Sequence, residues 1–274
     1  MNTIVVPTDF STISENAIQY AGNMANETGM GVTLIHIYQI PVSMSDVPVV
    51  IVSPEEFHES ALEKINDLKS RVEKSLPGNV KINTDVRLGN IVDELEDYCK
   101  EVKPFAIILG TKGTSAVDRI LFGSTTLTVI RDFNWPVIIV PPGTVYKSIK
   151  KVGFACDFTQ VIETIPLTYI KQIVKTFHAQ LHVLNVDYED RHFRGEQVEE
   201  SFLLHSMLED INPQYHFIDS DDVEEGINEF ADKNNLDLLI TIPKKHKLLE
   251  GLFKKSHTTK LVFDSHIPIL CVHE

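Results

Sequence analysis

Two glycine-bearing stretches carry the clearest chemistry in this sequence. Gly110-Thr111-Lys112-Gly113 is followed, nine residues on, by Gly123-Ser124-Thr125, a spacing of G-x2-G-x9-G-S. Glycine has no Cβ, so the backbone there can approach an anion with its N–H groups free to donate. Ser124 is placed to cap a following helix, and Ser124 and Thr125 both offer hydroxyls. The helix N-terminus adds partial positive charge. Lys112 would offset phosphate charge from the loop, although a solvated loop lysine is the plainer reading. Together these residues have the makings of a phosphate cradle. It is not a Walker loop, because G-x4-G-K-[ST] does not occur.

A second group sits near the start of the chain. Pro7-Thr8-Asp9 ends an apolar run. Asp9 can accept a hydrogen bond from an adenine or ribose edge, or it can cap the helix after it. Ile37, closing another apolar run, can flank a base with apolar surface.

The elements that must hold these residues read as one α/β unit occurring twice. TIVVPTDFS at 3–11 returns as KVGFACDFT at 151–159, an offset of about 148 residues. Helical stretches follow at 15–28 and 161–177, then strands VTLIHI at 32–37 and LHVLNV at 181–186. Further helices are expected over 56–75 and 197–211, strands over 80–88 and 215–218, and helices over 91–101 and 223–233. Buried strands FAIIL at 105–109 and LDLLI at 236–240 come next. A helix and a last strand close each copy, PVIIV at 136–140 and PILCV at 268–272. Apolar strands alternating with helices predict parallel sheets covered on both faces. Right-handed crossovers make them doubly wound, with ligands expected beyond the carboxyl ends of the strands. The expected fold class is α/β: two tandem doubly wound domains, 1–143 and 149–274, each a five-stranded parallel sheet sandwiched by helices. The Pro-Pro-Gly at 141–143 marks the boundary.

The second copy departs where the chemistry lies. Asp157 matches Asp9, but Ala155-Cys156 replace Pro7-Thr8. Aligned back from Pro268, Lys255-Ser256 fall opposite Gly123-Ser124. Gly113 falls on Lys244 or Lys245, and Gly110 on Thr241 or Ile242. All three loop glycines are gone, and bulky side chains take the space a triphosphate needs. The survival of Asp157 without them favours a partly structural role for its counterpart Asp9. Lys244, Lys245, His246, Lys247, Lys254, Lys255, His257 and Lys260 cluster in the altered stretch, an anion site or, more simply, a solvated helix start. His182, His192, His205, His216 and His266 show no metal-ligand spacing and read as core or surface groups.

VVPTDFS, Gly89-Asn90-Ile91 after the third strand, and Gly110, Gly113 and Gly123-Ser124 resemble the universal stress protein family over nearly the whole chain. That resemblance implies an adenine-nucleotide α-hydrolase-like fold. It also implies an ATP site with Pro7, Thr8 and Asp9 near the adenosine and Ile37 near the adenine. Gly110, Gly113, Gly123, Ser124 and Thr125 would surround ribose and phosphates, with Thr111 and Lys112 in the same loop. Mg2+ or Mn2+ often accompanies the phosphates in the family. With no dedicated carboxylate pair here, a metal would lean on phosphate oxygens and water. Domains of this family pair edge to edge through the last strand, so PVIIV and PILCV are expected to form an intrachain pseudo-dimer. A homodimer of whole chains stays open.

Composition limits the alternatives. The chain has 274 residues and a net charge of −14, spread as −7 over 1–143 and −7 over 144–274. No basic face or tail is present for counterion release, so nucleic acid is not an expected partner. No apolar run approaches a membrane span, and MNTIVVPTDF, lacking a charged leader and a long apolar run, does not read as a signal peptide. Cys99, Cys156 and Cys271 are odd in number and widely spaced, as reduced thiols of a cytoplasmic protein are. No nucleophile elbow or Cys/His pair is seen. An ATP-pyrophosphate-cleaving enzyme would carry an S-G-G-x-D-S-type loop where PTDFS stands. The expected function is a nucleotide-responsive binding module for stress survival. The alternatives are an interaction protein with vestigial sites, and an enzyme that hydrolyses ATP slowly.

Overall fold

A computed structural model describes residues 3–40, 53–111, 124–158, 161–187, 195–243, 261 and 265–273. The apolar stretch 41–52, most of the glycine loop (112–123) and the Lys/His cluster at 244–260 lie outside the described residues. Backbone contacts divide the chain into two compact units, Met1–Leu109 and Gly110–Glu274.

In the first unit β1 (Thr3–Pro7), β2 (Gly31–Tyr38), β3 (Ile82–Leu88) and β4 (Ala106–Gly110) alternate with α1 (Thr12–Thr28), α2 (Pro54–Ser75) and α3 (Ile91–Val102). The strand order is β3-β2-β1-β4, and β2 with β3, β1 with β2 and β1 with β4 are all parallel. Ile4, Val5 and Val6 of β1 and Ala106, Ile107 and Ile108 of β4 are fully buried, as near-continuous apolar runs must be when helices cover both sheet faces. Each helix start has a chemical cause. Ser11 caps α1 by accepting the Ser14 N–H. Ser53 and Glu56 form a capping box on α2, with Pro54 at its first position. Asn90 caps α3 through the N–H groups of Val92 and Asp93. Gly29 ends α1 at φ +70°, where a side chain would be strained.

The second unit carries α4 (Ser124–Asp132), β5 (Val137–Val140), β6 (Lys151–Ala155), α5 (Val161–Thr164) and α6 (Leu167–Phe177). After these come β7 (Gln180–Asp187), α7 (Gly195–Leu208), β8 (Gln214–Asp219), α8 (Val223–Asn234), β9 (Leu238–Thr241) and β10 (Ile269–Cys271). The strand order is β5-β10-β9-β6-β7-β8. Its ladders are parallel except β5 with β10, which are antiparallel with Ile139 opposite Ile269. Both strands are wholly buried. Beside them the buried His273 donates its Nε2–H to the Ile130 carbonyl at 2.7 Å.

Several expected boundaries shift. The helix expected over 161–177 is two, α5 and α6, because Pro166 has no N–H to continue the ladder and biases Ile165 away from helix. α7 ends at Leu208, and 209–211 is a 3-10 turn closed by Asn212 at φ +47°. α4 is described from Ser124 onward.

Candidate functional site

β1 and β4 are parallel neighbours, so Pro7 and Gly110 end their strands at the same edge of the first sheet. The turn after β1 is held by a closed set of hydrogen bonds. Thr8 donates its N–H to the Ile35 carbonyl at 2.9 Å. Its Oγ1 accepts the Phe10 N–H at 3.1 Å and lies 3.0 Å from Ser14 Oγ. Ser14 spends its proton on the Ser11 carbonyl at 2.9 Å, so Thr8 must donate to Ser14. The Thr8 carbonyl accepts from His36 Nδ1 at 2.8 Å. A carbonyl only accepts, so His36 Nδ1 carries a proton.

Asp9 projects from this turn and is exposed. Its Oδ1 accepts the Ser11 N–H at 3.0 Å, an Asx turn. Burial of part of the side chain would push its carboxyl up. Hydrogen bonds from Ser11 and Ser14 outweigh that and hold it below the ordinary carboxylate range. The helix cap is Ser11, not Asp9; Asp9 fixes the chain that delivers the cap. Phe10 takes φ +64°, rare for a residue with a Cβ, and its ring tilts against His36 at 4.5 Å. The ring series continues from His36 to Tyr38 at 6.2 Å, and the Tyr38 hydroxyl lies 3.2 Å from His58 Nδ1.

The other expected residues fall as follows. Pro7 ends β1 beside Ile35. Ile37 is only 8% exposed and pairs with Arg87 of β3. Gly110 ends β4. Thr111 is buried, and its N–H donates to the Val140 carbonyl at 3.1 Å, so that amide is not free for an anion. Lys112, Gly113 and Gly123 are outside the described residues. Ser124 and Thr125 lie in the described part of α4.

The end of β6 repeats the turn with other side chains. Cys156 donates its N–H to the Leu184 carbonyl at 2.9 Å, as Thr8 does to Ile35. Its carbonyl accepts from Asn185 Nδ2 at 2.9 Å, where Thr8 accepts from His36. Its sulfur takes the Phe158 N–H at 3.4 Å, and Phe158 adopts φ +51°. The Asp-Phe pair therefore builds a turn in both places, and its presence alone does not mark a ligand site. What separates the two stretches is the glycine loop.

The sequence alone does not single out His36, Tyr38 and His58 beside this turn. His36 and Tyr38 stand two apart at the end of a strand, hence on one face, and that signal was available. The positive φ of Phe10 has no signal in one copy; its recurrence in the second is the hint. Cys99 and Cys271 are reduced and buried, with thiols pushed up to about 12 by desolvation. Among the described residues, no three His, Cys, Asp or Glu side chains form a group able to hold a metal ion. Nor is any helix there long and apolar enough to cross a membrane.

Residues 1–141 match the pattern that defines the universal stress protein family. A universal stress protein of Methanocaldococcus jannaschii is 30% identical over 139 residues, covering 50% of this chain and 80% of that one. The universal stress protein YxiE of Bacillus subtilis is 26% identical over 145 residues, covering 51% of this chain and 98% of its own. The crystal structure of a universal stress protein from Archaeoglobus fulgidus superposes with a TM-score of 0.73. It covers 100% of this chain and 96% of that one at 20% identity, a likeness of fold.

Proposed function

Because the chain belongs to the universal stress protein family through residues 1–141, we propose that it binds an adenine nucleotide and acts as a nucleotide-responsive binding module. One observation carries this reading. The spacing G-x2-G-x9-G-S runs from the end of a buried strand, at Gly110, into a helix described from Ser124 onward. Backbone N–H groups and a helix N-terminus suit phosphates. In this reading Asp9 and the backbone near Ile37 serve the adenosine, and Gly113, Gly123, Ser124, Thr125 and Lys112 serve the phosphates. Thr111 supports the loop through its bond to Val140. Mg2+ or Mn2+, if carried with ATP, leans on phosphate oxygens and water. Hydrolysis is not part of the reading.

We further assign the repeats to 1–143 and 149–274, the second without a nucleotide site because its glycines are replaced. The last strands β5 and β10 join the repeats as an intrachain pseudo-dimer. The competing reading is an interaction protein with a vestigial site. It is favoured by the self-contained turn at Thr8 and by the engaged Thr111 amide.

Calorimetric titration of nucleotide-free protein with ATP and Mg2+, beside Gly113→Val, tests these readings. About one ATP per chain, lost in the variant, supports the first. No binding to the unaltered protein leaves the interaction reading. Two ATP per chain would overturn the assignment of the second repeat.

A further inference from the structure

In the second unit β7 and β8 are tied by more than their backbone ladder. His182 of β7 and His216 of β8 bring Nδ1 and Nε2 within 3.0 Å. Their rings stack with centroids 5.2 Å apart and 26° between planes. His182 is 7% exposed, and its Nε2 is buried without a hydrogen-bond partner. His216 in turn rests 4.6 Å from the Phe230 ring of α8.

The proton count of such a pair is constrained. In the neutral pair one of the two facing nitrogens donates and the other accepts. If His182 Nδ1–H donates, its buried Nε2 keeps a lone pair. If His216 donates, His182 must place an N–H on that buried nitrogen with no acceptor. The charged group that acts on the pair is Lys151 of β6, whose Nζ is held on the Asn234 carbonyl at 2.9 Å. A nearby cation favours the lone pair. In the ladders Gly153 of β6 and Gln214 of β8 pair with His182 and Leu184 of β7 pairs with His216, and the Phe230 ring faces His216 from α8. No carboxylate bonds either ring among the described residues.

We propose that the His182–His216 contact is an acid-sensitive clasp on β8, the outer strand of the second sheet. It holds the strand while the pair is neutral and releases it when the pair takes up a proton. A proton added to His216 Nε2 sets two N–H groups head to head, unless His182 moves its own onto the buried Nε2. A proton added directly to that nitrogen buries a cation. Either route leaves a buried group unpaired, which opening of the strand relieves. Burial, then His216 and Lys151, hold the His182 pKa below its ordinary value, and burial lowers His216. A histidine with a lowered folded pKa binds protons better when released. The clasp is therefore complete above the ordinary histidine range and is lost as pH falls through the lowered values. Release would free the ladder edge of β7 and carry off the 58%-exposed Phe217.

Hydrogen exchange of the full chain at about pH 7.5 and about pH 5, corrected for intrinsic chemical rates, tests the clasp. Protection of β8 amides should fall about tenfold or more at the lower pH, the factor an unsatisfied buried group is worth. Protection of β3 in the first unit should hold. In the double variant His182→Gln/His216→Gln, which has neither imidazole, that difference should vanish. Equal β8 protection at both pH values, or the same loss in the double variant, would overturn the proposal. Should the variant fold poorly, NMR titration of the two imidazoles in unaltered protein decides. They should titrate below the ordinary range in step with β8 protection. Titration of both near the ordinary value would refute the clasp.

Discussion

At Thr8 the backbone N–H, the carbonyl and the hydroxyl all have partners, and Ser14, Phe10 and His36 depend on them. Thr8→Val should therefore destabilise the chain by about 1–3 kcal/mol, since the Phe10 N–H and Ser14 Oγ lose an acceptor and a donor. Urea unfolding midpoints measure this. Thr8→Cys should cost less, because Cys156 performs the same task with its sulfur; equal losses in the two variants would contradict the shared turn. Asp9→Asn keeps an oxygen for the Ser11 N–H and should leave stability at neutral pH within about 0.5 kcal/mol. Because the Asp9 carboxyl lies below its ordinary range, it contributes stability above that range, and the contribution fades as pH falls through the lowered value. Solvent screening keeps it small at this exposed position. Acid titration of Asp9→Asn should show a slightly shallower loss. The sequence named Asp9 and Thr8 as candidates but not what they do. Hydrogen bonds between residues 28 apart, such as His36 to Thr8, leave no local pattern.

Among the elements, strand and helix order were legible because apolar runs and turn residues repeat in both halves. Ends were less so. α2 starts at Pro54 because Ser53 and Glu56 cap it, a box written in the sequence but outranked by its apolar period. The break at Pro166 was also written, but the apolar spacing runs through it and masked the lost donor. Gly29, by contrast, has one reading. Its φ is +70° and open space surrounds the position where a Cβ would be. Gly29→Ala should cost about 1–2 kcal/mol from backbone strain alone, read by thermal or urea unfolding. No loss would mean the end of α1 relaxes.

For the molecule as a whole, β5 is the strand whose partnership extends furthest along the chain. In the proposed repeats it belongs to the first, while its antiparallel partner β10 closes the second. A fragment of residues 1–143 would expose that apolar edge, and self-association through β5 is the expected result. Sedimentation of the fragment should show a dimer; a monomer would mean that β5 stays covered without β10. The sequence suggested this pairing only through a family resemblance, since nothing in PVIIV or PILCV specifies a direction of approach. The same feature sets an order of events during synthesis. His273 meets the Ile130 carbonyl across 143 residues. At ordinary elongation rates a nascent chain waits roughly 10 s between making the two. Through that interval β5 is a finished strand still waiting for the antiparallel partner that covers its apolar edge.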